Sequence, residues 1–322
     1  MKRKRRRRIS YRPANQRPMR IIRGALVCVA LVALALSAQV IARSLKTAKV
    51  NRQLAALHTV GGERPEAEVA APPLPTTIGA GRDHHADDGG VTLARMTFPD
   101  GSAIEEEAPY AAAAGSFHTT TGDVLPDMLK LLNANADTVG WLNISGIVHL
   151  PVVYRDNEYY LTHDFNGHHN SSGTLFLDQS SPLTAQTQNL LIHGHSMYDG
   201  SMFGLLTHYQ KLETIHQHPL ISFSSLYEKE TYVVFAVLCQ APEAFDYYSH
   251  PVFASDADFE KYISAVRERS LFDIPVDVNA SDALLTLSTC IEDDRLAVLA
   301  RKVRNGESRD ALASALAQAV ET

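Results

Sequence analysis

A chain of 322 residues with 45% apolar content can build one or two domains, each with a full core. Its formal net charge of −6 hides a division: residues 1–23 hold eleven Lys or Arg and no acid, which leaves 19 basic against 36 acidic residues beyond them. Those two parts face different surroundings, and with three cysteines in all the chain is not a disulfide scaffold.

The basic stretch opens on Lys2–Arg8 and runs into Gly24–Ala42, 19 uncharged and mostly apolar residues closed by Arg43. As a helix this run spans about 28 Å, close to the thickness of the bilayer core. The charges before it assign the N-terminus to the cytoplasm and the bulk of the chain to the outside. A cleavable signal peptide competes, but Ala35-Leu36-Ser37 and Val40-Ile41-Ala42 are imperfect cleavage sites and the run exceeds a usual signal core. An uncleaved single-pass anchor is therefore expected. Beside it the basic run orients the chain and meets anionic lipid, so no nucleic-acid partner is expected.

Residues 43–120 read as an extracellular, largely disordered linker. APPLPTT, GAGRDHHADDGG and the EEE and AAAA runs carry no sustained period, and the one helical segment, Ser44–Leu57, continues the membrane helix outward. His84-His85 before Asp87-Asp88 lies in a polar, glycine-flanked stretch and is not read as a metal site.

The folded region is expected over 121–304. Asp123 or Thr121 is placed to cap a helix through Leu132, with Pro126 in its first turn. Eight short strands follow: Gly146–Tyr154, Tyr159–Thr162, Gly173–Leu177, Asn189–His193, Leu220–Phe223, Thr231–Cys239, Ala283–Cys290 and Leu296–Val303. That spacing predicts a mainly β fold, a closed antiparallel barrel of about eight strands. Helical insertions fit Ser201–Tyr209 and Asp256–Ser270, the second with a stripe of Phe259, Ile263 and Val266. The alanine-rich tail within 305–322 has helical composition and receives no role.

Thr286-Leu287-Ser288-Thr289-Cys290 delivers a thiol to the end of a strand, and Arg295 opens the returning one. If Ile291–Asp294 is the turn between them, the Cβ atoms of Cys290 and Arg295 stand roughly 5 Å apart. A guanidinium beside a thiol favours the thiolate that nucleophilic chemistry needs. Cys28 lies in the apolar run and Cys239 in an apolar strand, so Cys290 is the free thiol of the exported part. Arg301 has the same strand parity as Arg295 but lies about 20 Å further along. In Asn189–Phe203 an apolar strand breaks at Gly194 and presents His195, an imidazole placed for general acid–base work. His193 shares its parity, and His193, His195 and Cys290 together would suit zinc. A fixed cation at Arg295 opposes that, so neither metal nor cofactor is expected.

NLLIHGHSMYDGSMF, TLSTC and the following arginine, together with Val139–Ile144, Pro151–Val153, Asp156–Leu161 and Gly173–Asp178 in that order, resemble the class B sortases, membrane-bound cysteine transpeptidases of Gram-positive bacteria. The resemblance covers roughly 121–304. It implies a sortase-type barrel in which Cys290 is the nucleophile, His195 the proton carrier and Arg295 the group that binds the carbonyl oxygen. Ser288 and Thr289 either offer hydroxyl or backbone donors to the substrate or simply fill the strand edge. The resemblance further implies a helix bordering the substrate groove in the loop before the cysteine strand. The implied substrate is a surface protein or pilin with an (S/N)PxTG- or NPQTN-type sorting signal, cut after its threonine. The implied acceptor is a peptidoglycan precursor or pilin amine. The four residues between Cys290 and Arg295 are fewer than the family usually places there.

Overall fold

The computed structural model describes residues 17–59, 94–97, 103–106, 124–184 and 186–322. The chain divides between Lys49 and Val50 into two compact units. Helix α1 (Arg17–Thr59) supplies all that is described of the first and the opening residues of the second. Among the described residues no helix is long and apolar enough to cross a membrane. The segment expected to do so, 24–42, has helical backbone within α1, and most of its side chains lie outside the described residues. The basic segment before Arg17 and most of the expected linker also lie outside them; within the linker a small antiparallel hairpin pairs β1 (Ala94–Thr97) with β2 (Ala103–Glu106).

In the second unit α2 (Pro126–Ala134) starts at its proline, with Leu125 and neither Asp123 nor Thr121 at the N-cap. Pro126 fixes the start because a proline deeper in the helix would remove a ladder hydrogen bond. The eight strands that follow close into a barrel: β3 (Thr138–Ile144), β4 (Val148–Tyr154), β5 (Leu175–Leu177), β6 (Asn189–His193), β7 (Leu220–Ser225), β8 (Lys229–Gln240), β10 (Leu284–Ile291) and β11 (Asp294–Lys302). Around the barrel the order is β10-β11-β8-β7-β3-β4-β5-β6.

The barrel is mixed, which corrects the antiparallel expectation: β4 pairs with β5, and β6 with β10, in parallel. Both pairs are joined by connections long enough to carry the chain back to its starting end, and a parallel pair needs such a crossover. Two strand assignments also change. Tyr159–Leu161 is a 3₁₀ turn, because Asp156 Oδ1 accepts the backbone N–H groups of Glu158 (2.8 Å) and Tyr159 (2.6 Å) in place of a sheet ladder. Thr138–Ile144 is a strand buried at nearly every position, so it shows none of the alternation by which a half-exposed strand is read.

The barrel interior is filled from β8 and β11, whose central residues are continuously buried. A second apolar cluster, on another face of the strands, joins Trp141, Tyr160, Phe165 and Phe176 to Met128 and Leu131 of α2 and Leu54 of α1. The expected insertion at 201–209 becomes a 3₁₀ turn (Leu205–Gln210) and a short helix α3 (Leu212–Gln217). Helix α4 (Asp256–Glu268) is capped by Ser255 and buries the expected stripe of Phe259, Ile263 and Val266, with Tyr262 added. The tail forms α5 (Arg309–Leu316) and β12 (Val320–Glu321), which pairs with β9 (Phe272–Asp273); Leu316 is fully buried, so these residues belong to the fold.

Candidate active site

β10 and β11 form a hairpin in which Ile291 pairs with Asp294 and Cys290 with Arg295. The ladder thus runs one pair further than the four-residue turn expected, and Glu292 closes the two-residue loop in the left-handed region (φ 51°). β10 is buried up to Thr289 and exposed at Cys290, so the thiol stands at the rim of the barrel. Across the ladder, Arg295 Nη1 donates a hydrogen bond to Cys290 Sγ.

The parallel pairing of β6 and β10 brings the histidine segment to the same rim. Ser288 lies opposite His193. Gly194 N–H donates to the Ser288 carbonyl at 3.2 Å, and Thr289 Oγ1 donates to the Gly194 carbonyl at 2.7 Å. Gly194 is required by packing, since a Cβ there would stand 2.7 Å from the Phe203 ring. The next residue, His195, accepts the Phe203 N–H on its carbonyl at 2.9 Å, and its Nε2 lies 2.8 Å from the Leu161 carbonyl oxygen. A carbonyl only accepts, so Nε2 carries the hydrogen and Nδ1 is the nitrogen left for chemistry. The 3₁₀ turn at 159–161, which replaced an expected strand, is what presents that carbonyl.

Cys290, Arg295, His195, Ser288 and Thr289 all line one groove of about 490 Å³. The two hydroxyls are engaged within the protein: Ser288 Oγ is 2.8 Å from Tyr247 Oη, and Thr289 Oγ1 holds Gly194. Tyr247 is in turn fixed from α4, where Tyr262 Oη donates to its carbonyl at 3.2 Å. Burial raises the Tyr247 phenol, and Ser288 and Arg295 partly offset that.

Sequence reasoning missed Asp178, Tyr247 and Tyr248 as lining residues. Asp178 stood only as the end of a landmark motif, and the two tyrosines lie in the long β8–α4 connection, which has no period to read. Asp178 bonds His193 Nε2 at 2.9 Å and also accepts from Asn157 and Ser180. Burial works to raise this carboxyl, but the bonds from His193 and Ser180 outweigh it and hold it at about 2. His193 is therefore tied to a carboxylate, and among the described residues no cluster of three His, Cys, Asp or Glu side chains is arranged to hold a metal. Arg301 sits at the other end of β11, opposite Leu284, fully buried and bonded to Asp277 and Glu307.

At one rim of this mixed barrel stand an exposed thiol, an arginine and a histidine, the kinds of group that thiol-dependent acyl transfer uses. The sortase domain family matches residues 144–303. Among curated relatives, Sortase B of Listeria monocytogenes is 33% identical over 191 residues, 58% of this chain and 75% of the relative. Sortase B of Staphylococcus aureus is 31% identical over 169 residues, 52% of this chain and 68% of the relative. Among solved structures, sortase B from B. anthracis in complex with AAEK2 superposes with a TM-score of 0.54 at 28% identity, covering 61% of this chain and 94% of that one. The Staphylococcus aureus sortase B–substrate complex gives 0.53 at 29% identity, covering 57% and 88%. The chain belongs to the sortase family, the cysteine transpeptidases, and within it to class B. The family's reaction joins a sorting-signal-bearing protein to an amine acceptor.

Proposed function

We propose that this sortase cuts an (S/N)PxTG- or NPQTN-type sorting signal after its threonine, and passes the acyl group to a peptidoglycan or pilin amine. The observation that carries the reading is the Cys290–Arg295 pair, opposed across the hairpin and hydrogen-bonded in the groove that His195 also lines. His195 Nδ1 takes the thiol proton of Cys290, the resulting thiolate attacks the scissile carbonyl carbon, and the carbonyl electrons move to oxygen. Arg295, already at the sulfur, turns its forked donors to that oxygen. The intermediate collapses to a thioester as the C–N bond breaks, and His195 gives the leaving amine a proton from Nδ1. The acceptor amine then attacks the thioester and surrenders its proton to His195, and the new amide forms as the sulfur leaves. Ser288 and Thr289 act on the substrate through groove shape and backbone, since their hydroxyls are engaged.

The N-terminal charge asymmetry supports an anchor at 24–42 with residues 1–23 in the cytoplasm and the catalytic region, 121–304, outside, joined through 43–120. Mass spectrometry of the purified chain with a panel of sorting-motif peptides tests the reading. The expected result is an acyl adduct on Cys290 and cleavage after threonine. Cleavage at another bond, or none, overturns it.

A further inference from the structure

Two imidazoles point from the end of β6 into one groove, and they are backed differently. His195 Nε2 meets a neutral backbone carbonyl, whereas His193 Nε2 meets the Asp178 carboxylate at 2.9 Å. That carboxylate is itself over-determined: Oδ1 accepts Ser180 N–H (2.8 Å) and Ser180 Oγ–H (2.6 Å), and Oδ2 accepts Asn157 Nδ2 (2.9 Å) as well as His193. Asn157 is tied down by Gln179 N–H, which donates to its Oδ1 at 2.9 Å. The Phe176 ring lies 5.3 Å from the imidazole. A ring fixed in this way has its tautomer chosen for it: Nε2 bears hydrogen, and Nδ1, with no protein hydrogen-bond partner among the described residues, is left as an acceptor on a side chain that lines the groove. The reaction scheme above gives this second imidazole no task. A buried carboxylate held by three other donors and spent on orienting one ring is an elaborate arrangement for simple packing.

We propose that His193 is a specificity-determining residue that accepts a hydrogen bond at Nδ1 from an amide or hydroxyl donor of the sorting peptide, and that Asp178 is its positioning residue. This rests on the transpeptidase reading of the groove. The preferred substrate is a peptide with a hydrogen-bond donor beside the residue acylated. A peptide with an apolar group there leaves Nδ1 facing a dry surface without a partner, and such a mismatch is penalised more than a lost contact.

The test uses the full chain in detergent and sorting peptides in which each donor is removed in turn, threonine by valine, side-chain amides by alanine and backbone N–H by N-methylation. For the unaltered protein, removal at one position should cost about tenfold in kcat/KM, mainly through KM. His193→Ala should raise KM for the parent peptide by about the same factor and become indifferent to that one removal. His193→Gln, which offers a carbonyl acceptor, should restore part of the discrimination. Asp178→Asn, which offers one acceptor oxygen where the carboxylate offers two, should weaken the coupling. A merely structural role would lower melting temperature and affect every peptide alike. Acylation of Cys290 with no peptide position coupled to His193 overturns this inference alone. A collapse of kcat in both His193 variants overturns it too, by making His193 the proton carrier. Failure of every peptide to acylate Cys290 overturns the functional reading and this inference with it.

Discussion

Arg295 and Arg301 stand on one strand, with the same parity, and meet opposite fates. Arg295 lies beside the exposed thiol, at the rim where the β10–β11 hairpin turns. Arg301, at the far end, has no exposed surface: its guanidinium is clamped by both carboxylate oxygens of Glu307 at 2.8 Å and by the Asp277 carbonyl at 2.7 Å. Arg304 extends that network to Asp277 and Asp282. A guanidinium whose donors are committed to buried carboxylates and backbone carbonyls cannot serve a transition state, and one with donors in hand at a groove can. The same side chain is thus a fastening at one end of the hairpin and, in the proposed function, a reagent at the other, and its surroundings decide which.

The comparison breaks most visibly through stability. Arg301→Ala removes a buried member of an ion network and should cost about 3–5 kcal/mol, read as a fall in Tm of about 10 °C. Acylation of Cys290 by the folded fraction should be little changed. Arg295→Ala should do the reverse, keeping Tm and lowering single-turnover acylation by about 100-fold. Arg295→Lys should recover little, because one ammonium lacks the forked donors. If Arg301→Ala stops acylation while Arg295→Ala acylates normally, the assignment of the two ends is reversed.

A smaller effect sharpens the contrast through pH. Hydrogen bonds from Arg304 and Arg301 hold the Asp277 and Glu307 carboxyls below their ordinary values, and Asp178 is held at about 2. A carboxyl whose folded pKa is depressed stabilises the protein above its unfolded pKa, and the contribution is lost as pH falls through the folded one. The contribution of these carboxyls to the urea midpoint should therefore be flat from neutral pH to about 4.5 and fall from there toward pH 2. Asp178→Asn should make that acid limb shallower, as should Glu307→Gln, and a limb of unchanged slope in both would rule these carboxyls out as its source.

The smallest effect is spectroscopic and lies away from both ends. His58 of α1 stacks on Trp141 with ring centroids 4.3 Å apart, and His149 meets the same indole at 4.8 Å. Burial lowers both imidazoles; for His58 the Asp127 charge opposes it. The neutral rings are therefore favoured when folded, and their contribution fades as pH falls below about 6.5. Trp141 is the one tryptophan of the chain, so its emission should change in that range. His58→Gln should remove most of the change; an identical titration in that variant would place it elsewhere.

Much of the site was legible because its chemistry lies in short, local patterns. The strand ending in Cys290, the turn and Arg295 are one hairpin, and a hairpin's pairing follows from its own sequence. Gly194 and His195 follow an apolar strand whose limits, Asn189–His193, were read to the residue. Tyr159–Leu161 failed as a strand because a side chain three residues away, Asp156, took its backbone donors. β3 was missed because full burial erases the period that marks a strand.

The sequence by itself determined a mainly β fold and put Cys290, Arg295 and His195 at or beside strand ends, since residue type and two-residue periodicity are local properties. Only the tertiary structure decided that the barrel is mixed, that β6 lies parallel beside β10, and that Asp178 stands behind His193. Those facts depend on which strand neighbours which after long connections, and a connection's length permits a crossover without specifying its partner. Burial made the last decision: it sealed Arg301 among carboxylates and left Arg295 free at the groove.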